Sequence, residues 1–158
     1  MDILNEEFLS FLKCAHQNHL RYMLIGGYAV NYYGYNRSTD DLDVWIAPTN
    51  ENKLLFLNTL LCMKYTESEI TSLVDEDFTQ PFIGHFGTAA CNIDVLTIVH
   101  NTLSYDEAEK NMNVFEILPA VFMNFVPYDF LVYMKLRARR PKDYLDISEL
   151  DKIRNKNK

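Results

Sequence analysis

Apolar positions along the chain follow two rhythms, and their succession predicts the elements. Residues 3–17 place Ile3, Leu4, Phe8, Leu9, Phe11, Leu12 and Ala15 at helical spacing, with Glu6, Glu7 and Lys13 off the stripe. That pattern predicts an amphipathic first helix packed on a core. Residues 22–25 form a short apolar run closed by Gly26-Gly27, which reads as a buried strand entering a tight turn. Residues 28–33 contain no breaker and stop at Gly34, so a short helix fits. Residues 41–46, DLDVWI, begin with strict alternation. In a strand this puts Asp41 and Asp43 on one face, with Leu42 and Val44 packed behind.

The second half continues in the same way. A turn and helix-start signal at residues 48–52 leads into an apolar helix over 51–62, with Leu54, Leu55, Leu57, Leu60 and Leu61 as its inner face. A short polar helix is expected over 67–76. Strands over 82–86 and 91–98 are expected to flank a turn at His85-Phe86-Gly87-Thr88. Residues 104–111 read as a short helix, and 114–118 and 121–126 as a strand pair near Pro119. Pro127 precedes a helix over 128–136. Pro141 interrupts it, and a last helix runs over 142–154 with Tyr144, Leu145, Ile147, Leu150 and Ile153 apolar.

The stretch over residues 24–46, LIGGYAVNYYGYNRSTDDLDVWI, concentrates the candidate chemistry. A helix start after paired glycines presents free backbone N–H groups, a natural seat for a phosphate. Two carboxylates side by side on a rigid strand repel each other unless a cation sits between them, and hard ions such as Mg²⁺ favour that oxygen donor set. A further acid, Asp94, lies inside the apolar strand pattern NIDVLT, where it should be paired or bind a metal.

Taken together, G-G, a short helix and R-x-T-x-D-L-D resemble the core signature of the nucleotidyltransferase superfamily related to DNA polymerase β. The resemblance is nearest to the small bacterial enzymes grouped with the AbiEii toxins and minimal nucleotidyltransferases. Arg37, Thr39, Asp41 and Asp43 fall on the pattern, while Tyr33 stands before Gly34 where many relatives have histidine. The run KLRARRPKDYLDI from Lys135 resembles the K…A…R-x-K-D…D-I block of the same families. The resemblance implies an α+β fold: a mixed β-sheet nucleotidyltransferase core flanked by helices, with a C-terminal helical segment. One domain is expected over 1–158, with its core over 20–100 and the helical segment over 127–155.

The activity implied is transfer of a nucleoside monophosphate from an NTP to an acceptor hydroxyl, with release of pyrophosphate. Asp41, Asp43 and Asp94 would be the catalytic carboxylates and the ligands of two Mg²⁺ ions, with Mn²⁺ as a substitute. Gly26, Gly27, Arg37, Thr39 and Lys135 would bind the nucleotide. Read from the residues alone, Arg37 serves equally as an ion-pair partner of a nearby acid such as Asp40, and Lys135 as a helix cap. Asp143 and Asp146 are expected to hold the Arg-rich turn through ion pairs. His16 and His19 read as solvated residues at a helix end, and His85 and His100 as ordinary surface residues.

Composition narrows the setting. Apolar residues make up 48% of the chain and charged residues 23%, which describes a folded globular protein rather than a disordered one. No apolar run approaches the roughly 20 residues of a membrane span, and the acidic start lacks the basic region of a signal peptide. Cys14, Cys62 and Cys91 are odd in number and widely spaced, so three reduced thiols in a cytoplasmic protein are expected.

The net charge of −7 is uneven. Residues 135–158 carry nine basic and four acidic side chains, leaving the remainder at −12. Such a body is poorly suited to non-specific duplex binding. The expected partners are an NTP donor and an RNA, protein or small-molecule acceptor. A toxin–antitoxin setting, with a partner protein or second copy completing the site, is implied by the resemblance alone. A cationic antibiotic acceptor and a catalytically silent interaction module are the alternatives.

Overall fold

The structure, a computed structural model, describes residues 5–158. Ile3 and Leu4 of the expected first helix lie outside the described residues. The rest of that stripe forms α1 (Glu6–Gln17), whose N-cap Asn5 accepts from the Glu7 N–H and whose buried face is Phe8, Phe11, Leu12, Cys14 and Ala15. β1 (Tyr22–Ile25) is buried at every position, as its uninterrupted apolar run demands. It leads directly into α2 (Gly26–Tyr32), so the two glycines form the first turn of the helix rather than preceding it. β2 (Leu42–Ile46) follows, with Leu42 and Val44 fully buried and Asp43 only partly so. Asp41 lies just before the strand, exposed.

The six strands form one mixed sheet in the order β3-β4-β2-β1-β6-β5. β3 (Ile83–Thr88) and β4 (Cys91–Leu96) make an antiparallel hairpin, and β4 runs parallel to β2. β1 is antiparallel to β2 and parallel to β6 (Val121–Phe125), which pairs antiparallel with β5 (Asn113–Leu118). Helices α3 (Asn50–Cys62), α4 (Glu67–Val74), α5 (Tyr105–Lys110), α6 (Tyr128–Ala138) and α7 (Pro141–Lys156) flank it. The architecture is α+β with a C-terminal helical segment, and no described helix is long and apolar enough to cross a membrane.

Three expectations are corrected. The inner face of α3 is Asn52, Phe56, Leu57, Thr59 and Leu60, while Leu54 is 59% exposed and Leu61 turns partly outward. Apolar and polar residues are spread around this helix, so its sequence gives no direction. Its rotation is chosen by long-range partners. Asn52 donates to the carbonyls of Arg21 and Ala47 and accepts from the Arg21 N–H, while Phe56 packs edge-on against Phe86.

The β3–β4 turn is Ala89-Ala90, not residues 85–88. Gly87 suggests a turn, but it sits inside the strand at φ +91°, where a Cβ would overlap the carbonyl oxygen of Cys91. Finally, Cys14 and Cys62 are joined in a disulfide linking α1 to α3, with a Cα–Cα distance of 5.7 Å, and only Cys91 is a free thiol. The expectation of three reduced thiols fails because α1 and α3, far apart in sequence, pack side by side.

Candidate functional site

The site grows from the register of the sheet. Ile25 is opposite Asp43 in the β1–β2 pair, and Asp43 is opposite Asp94 in the parallel β2–β4 pair. Side chains in register on neighbouring strands share a face, so Asp43 and Asp94 stand side by side. The residue after Ile25 must then leave room for a carboxylate. A Cβ on Gly26 would overlap Asp43 Oδ2, and Gly26 takes φ +64° to carry the chain from strand to helix. A Cβ on Gly27 would overlap Thr39 Oγ1. The paired glycines thus make space for Asp43 and Thr39, and both line the site.

Gly26, Gly27, Thr39, Asp41, Asp43 and Asp94 face an open cavity of about 700 Å³ whose opposite wall is α6 and the start of α7. Asp43 accepts no hydrogen bond within the described structure. Its carboxyl is pushed up to about 6, first by burial and then by repulsion from Asp94 and Asp41, with Lys135 and Lys142 acting in the opposite sense. The arrangement holds negative charge that no protein donor satisfies.

Asp94 is different. Its Oδ1 accepts from His85 Nδ1 at 2.6 Å and from Asn92 Nδ2 at 2.5 Å, and among the described residues Oδ2 has no donor. His85, expected to be an ordinary surface residue, is therefore tied to a site carboxylate. Pairing across the β3–β4 hairpin sets it directly opposite Asp94. The misplaced turn hid this contact. His100 also has partners, in Thr102 and the ring of Tyr133.

The cationic wall divides into committed and free groups. Arg37 makes a two-pronged pair with Asp146, Nε to Oδ1 at 2.7 Å and Nη2 to Oδ2 at 3.0 Å, and donates Nη1 to the Ser38 carbonyl. Its partner is an acid, as one of the two readings held, but Asp146 on α7 rather than Asp40. Lys135 is buried at 5% exposure, with Nζ 2.7 Å from Asp146 Oδ2 and 3.4 Å from Asp143 Oδ1. Burial works to raise the Asp143 carboxyl, but hydrogen bonds from Arg140 and the charge of Lys135 hold it below the usual carboxylate range. Asp143 and Asp146 are thus the ion-pair anchors expected of them.

Lys142, quoted in the R-x-K-D block but given no role, lines the cavity exposed and has no carboxylate partner among the described residues. It was legible only as one charge in a basic run. Its freedom follows from Asp143 and Asp146 being occupied by its neighbours.

Among the described residues, no three His, Cys, Asp or Glu side chains form a closed metal-binding group. The donor set suits a cation all the same: hard oxygens on two adjacent strands, one of them unsatisfied and repelled by the others. Such an open site would need further oxygens from a ligand to complete a coordination shell. No protein-family model matches this chain, and a search of curated proteins finds no match either.

Proposed function

We propose that the chain is a metal-dependent nucleotidyltransferase that moves a nucleoside monophosphate from an NTP to a hydroxyl on RNA or protein. The observation that carries this reading is the in-register pair Asp43 and Asp94, with Asp41 beside it, facing a cavity whose far wall supplies an unpaired lysine. Negative and positive charge are set against each other across a space large enough for a nucleotide. Asp41, Asp43 and Asp94 would hold Mg²⁺, with Mn²⁺ as a substitute. The ions would supply charge neutralisation at the reacting phosphate and at the leaving pyrophosphate.

The chain's own residues account for the remainder. The new bond joins the acceptor oxygen to the α-phosphorus, and the bond from that phosphorus to the pyrophosphate oxygen breaks. Asp94 Oδ2, which has no donor among the described residues, is the oxygen that would hold the ion beside the acceptor hydroxyl, whose proton passes to solvent. Lys142 is the free cation for the triphosphate, supported by Arg140, whose side chain is 57% exposed although it also holds Asp143. Lys135 and Arg37 act one step back, fixing α6 and α7 against the loop that carries Thr39 and Asp41. A catalytically silent module would keep these mutually repelling acids at a cost and without return, since one partly buried carboxylate without a donor is destabilising.

The test is transfer of label from α-phosphate-labelled NTPs to total RNA and to cellular protein, with Mg²⁺, by wild type and Asp43→Asn. Label on one acceptor class, lost in the variant, is the expected result. Transfer that persists unchanged in Asp43→Asn would sink the assignment.

A further inference from the structure

Asp94 is held in a way that ordinary strand packing does not require. Its side chain is 22% exposed, and an aspartate χ2 is a broad, two-fold torsion, so an unrestrained carboxylate there would present either oxygen or both. Two donors instead converge on one oxygen. His85 reaches Oδ1 from the edge strand β3, directly opposite in the antiparallel register. Asn92 reaches the same Oδ1 from two residues back along β4, on the same face. A carboxylate accepts only, so His85 Nδ1 carries the hydrogen. His85 itself is 69% exposed and sits on an edge strand, so it adds little to the core.

We infer that His85 and Asn92 are positioning residues that commit Asp94 to act through Oδ2 alone. The inference rests on the proposed metal-dependent reaction and assigns to that site a determinant of ion choice. Mg²⁺ demands near-ideal octahedral geometry at short distances, which a single oxygen satisfies. Ca²⁺ tolerates both oxygens of one carboxylate and a looser shell. Occupying Oδ1 removes the two-oxygen mode and favours the smaller ion. Loss of an outer-shell partner of this kind typically weakens metal binding or activity by about 10–100-fold.

The experiment measures Mn²⁺ affinity by electron paramagnetic resonance in the presence of a non-hydrolysable NTP analogue, Ca²⁺ competition against bound Mn²⁺, and kcat and KM with Mg²⁺. The proteins are wild type, His85→Ala, Asn92→Ala and His85→Asn, whose amide restores a donor near the position of Nδ1. The two alanine variants are expected to keep the wild-type melting temperature. They should bind Mn²⁺ about tenfold more weakly, lose Mn²⁺ more readily to Ca²⁺, and lose kcat with NTP KM unchanged, whereas His85→Asn recovers most of both. Alanine variants with wild-type Mn²⁺ affinity and kcat would overturn the clamp while leaving the nucleotidyltransferase reading intact. A wild-type protein that binds neither Mn²⁺ nor nucleotide would overturn that reading, and the clamp with it.

Discussion

At the scale of single residues, Asp43 ties stability to the site. Its folded carboxyl titrates near 6, above the ordinary value of 3.8, so the folded state holds a proton more tightly than the unfolded chain. The stabilisation linked to that proton is fully present below about pH 4 and is lost as pH rises through about 6. Two pH units correspond to about 3 kcal/mol. Asp43→Asn removes the titration, so the metal-free variant should be more stable than wild type at pH 7–8, with the gap closing towards pH 4. Urea midpoints of both proteins across that range check it; parallel profiles would mean that Asp43 is already satisfied in the folded protein.

This carboxylate was legible from the alternation of Asp41, Leu42, Asp43 and Val44, because a period of two is local information. The role of Gly26 as the space for Asp43 was not, because it depends on β1 and β2 lying in register.

At the scale of elements, α6 and α7 form a hairpin held shut from inside. Lys135 lies between Asp143 and Asp146, Asp146 also holds Arg37, and Asp143 also holds Arg140. Removing the buried cation leaves two carboxylates short of a partner, which typically costs about 3–5 kcal/mol. Lys135→Ala should therefore act chiefly on stability. Lys142→Ala should leave stability within about 0.5 kcal/mol and weaken nucleotide binding. Denaturation midpoints and nucleotide titrations on the pair separate the two roles, and equal stabilities would return Lys135 to the nucleotide site expected for it.

The sequence placed both lysines in one basic run. Which of them is buried depends on contacts made in three dimensions, including one from Arg37, 109 residues from its partner. The same reason left the inner face of α3 unreadable, whereas β1 and α7, marked by an apolar run and by Pro141, could be read locally.

At the scale of the molecule, the Cys14–Cys62 bridge encloses β1, α2, β2 and most of α3 within one covalent loop. A loop of this length stabilises by about 4 kcal/mol through the entropy of the unfolded chain. Reduction should lower the urea midpoint accordingly while leaving turnover at 25 °C unchanged, because the bridge joins two helices away from the cavity lining. A midpoint insensitive to reductant would show that the thiols are not joined in solution.

The parallel pairing of β2 with β4 also bears on how such a chain can vary over generations. Between these strands the polypeptide makes a long excursion through α3 and α4 before β3 returns it to the sheet beside β4. Residues gained or lost in the loops of that excursion leave Asp43 and Asp94 abreast. A single residue deleted within β4 ahead of Asp94 would turn the acid into the core and bring an apolar neighbour to the cavity. Deletion scanning should therefore find permissive loops between helices bracketed by two short strands that tolerate no change of length, a pattern of indels rather than of substitutions by which diverged copies could be known.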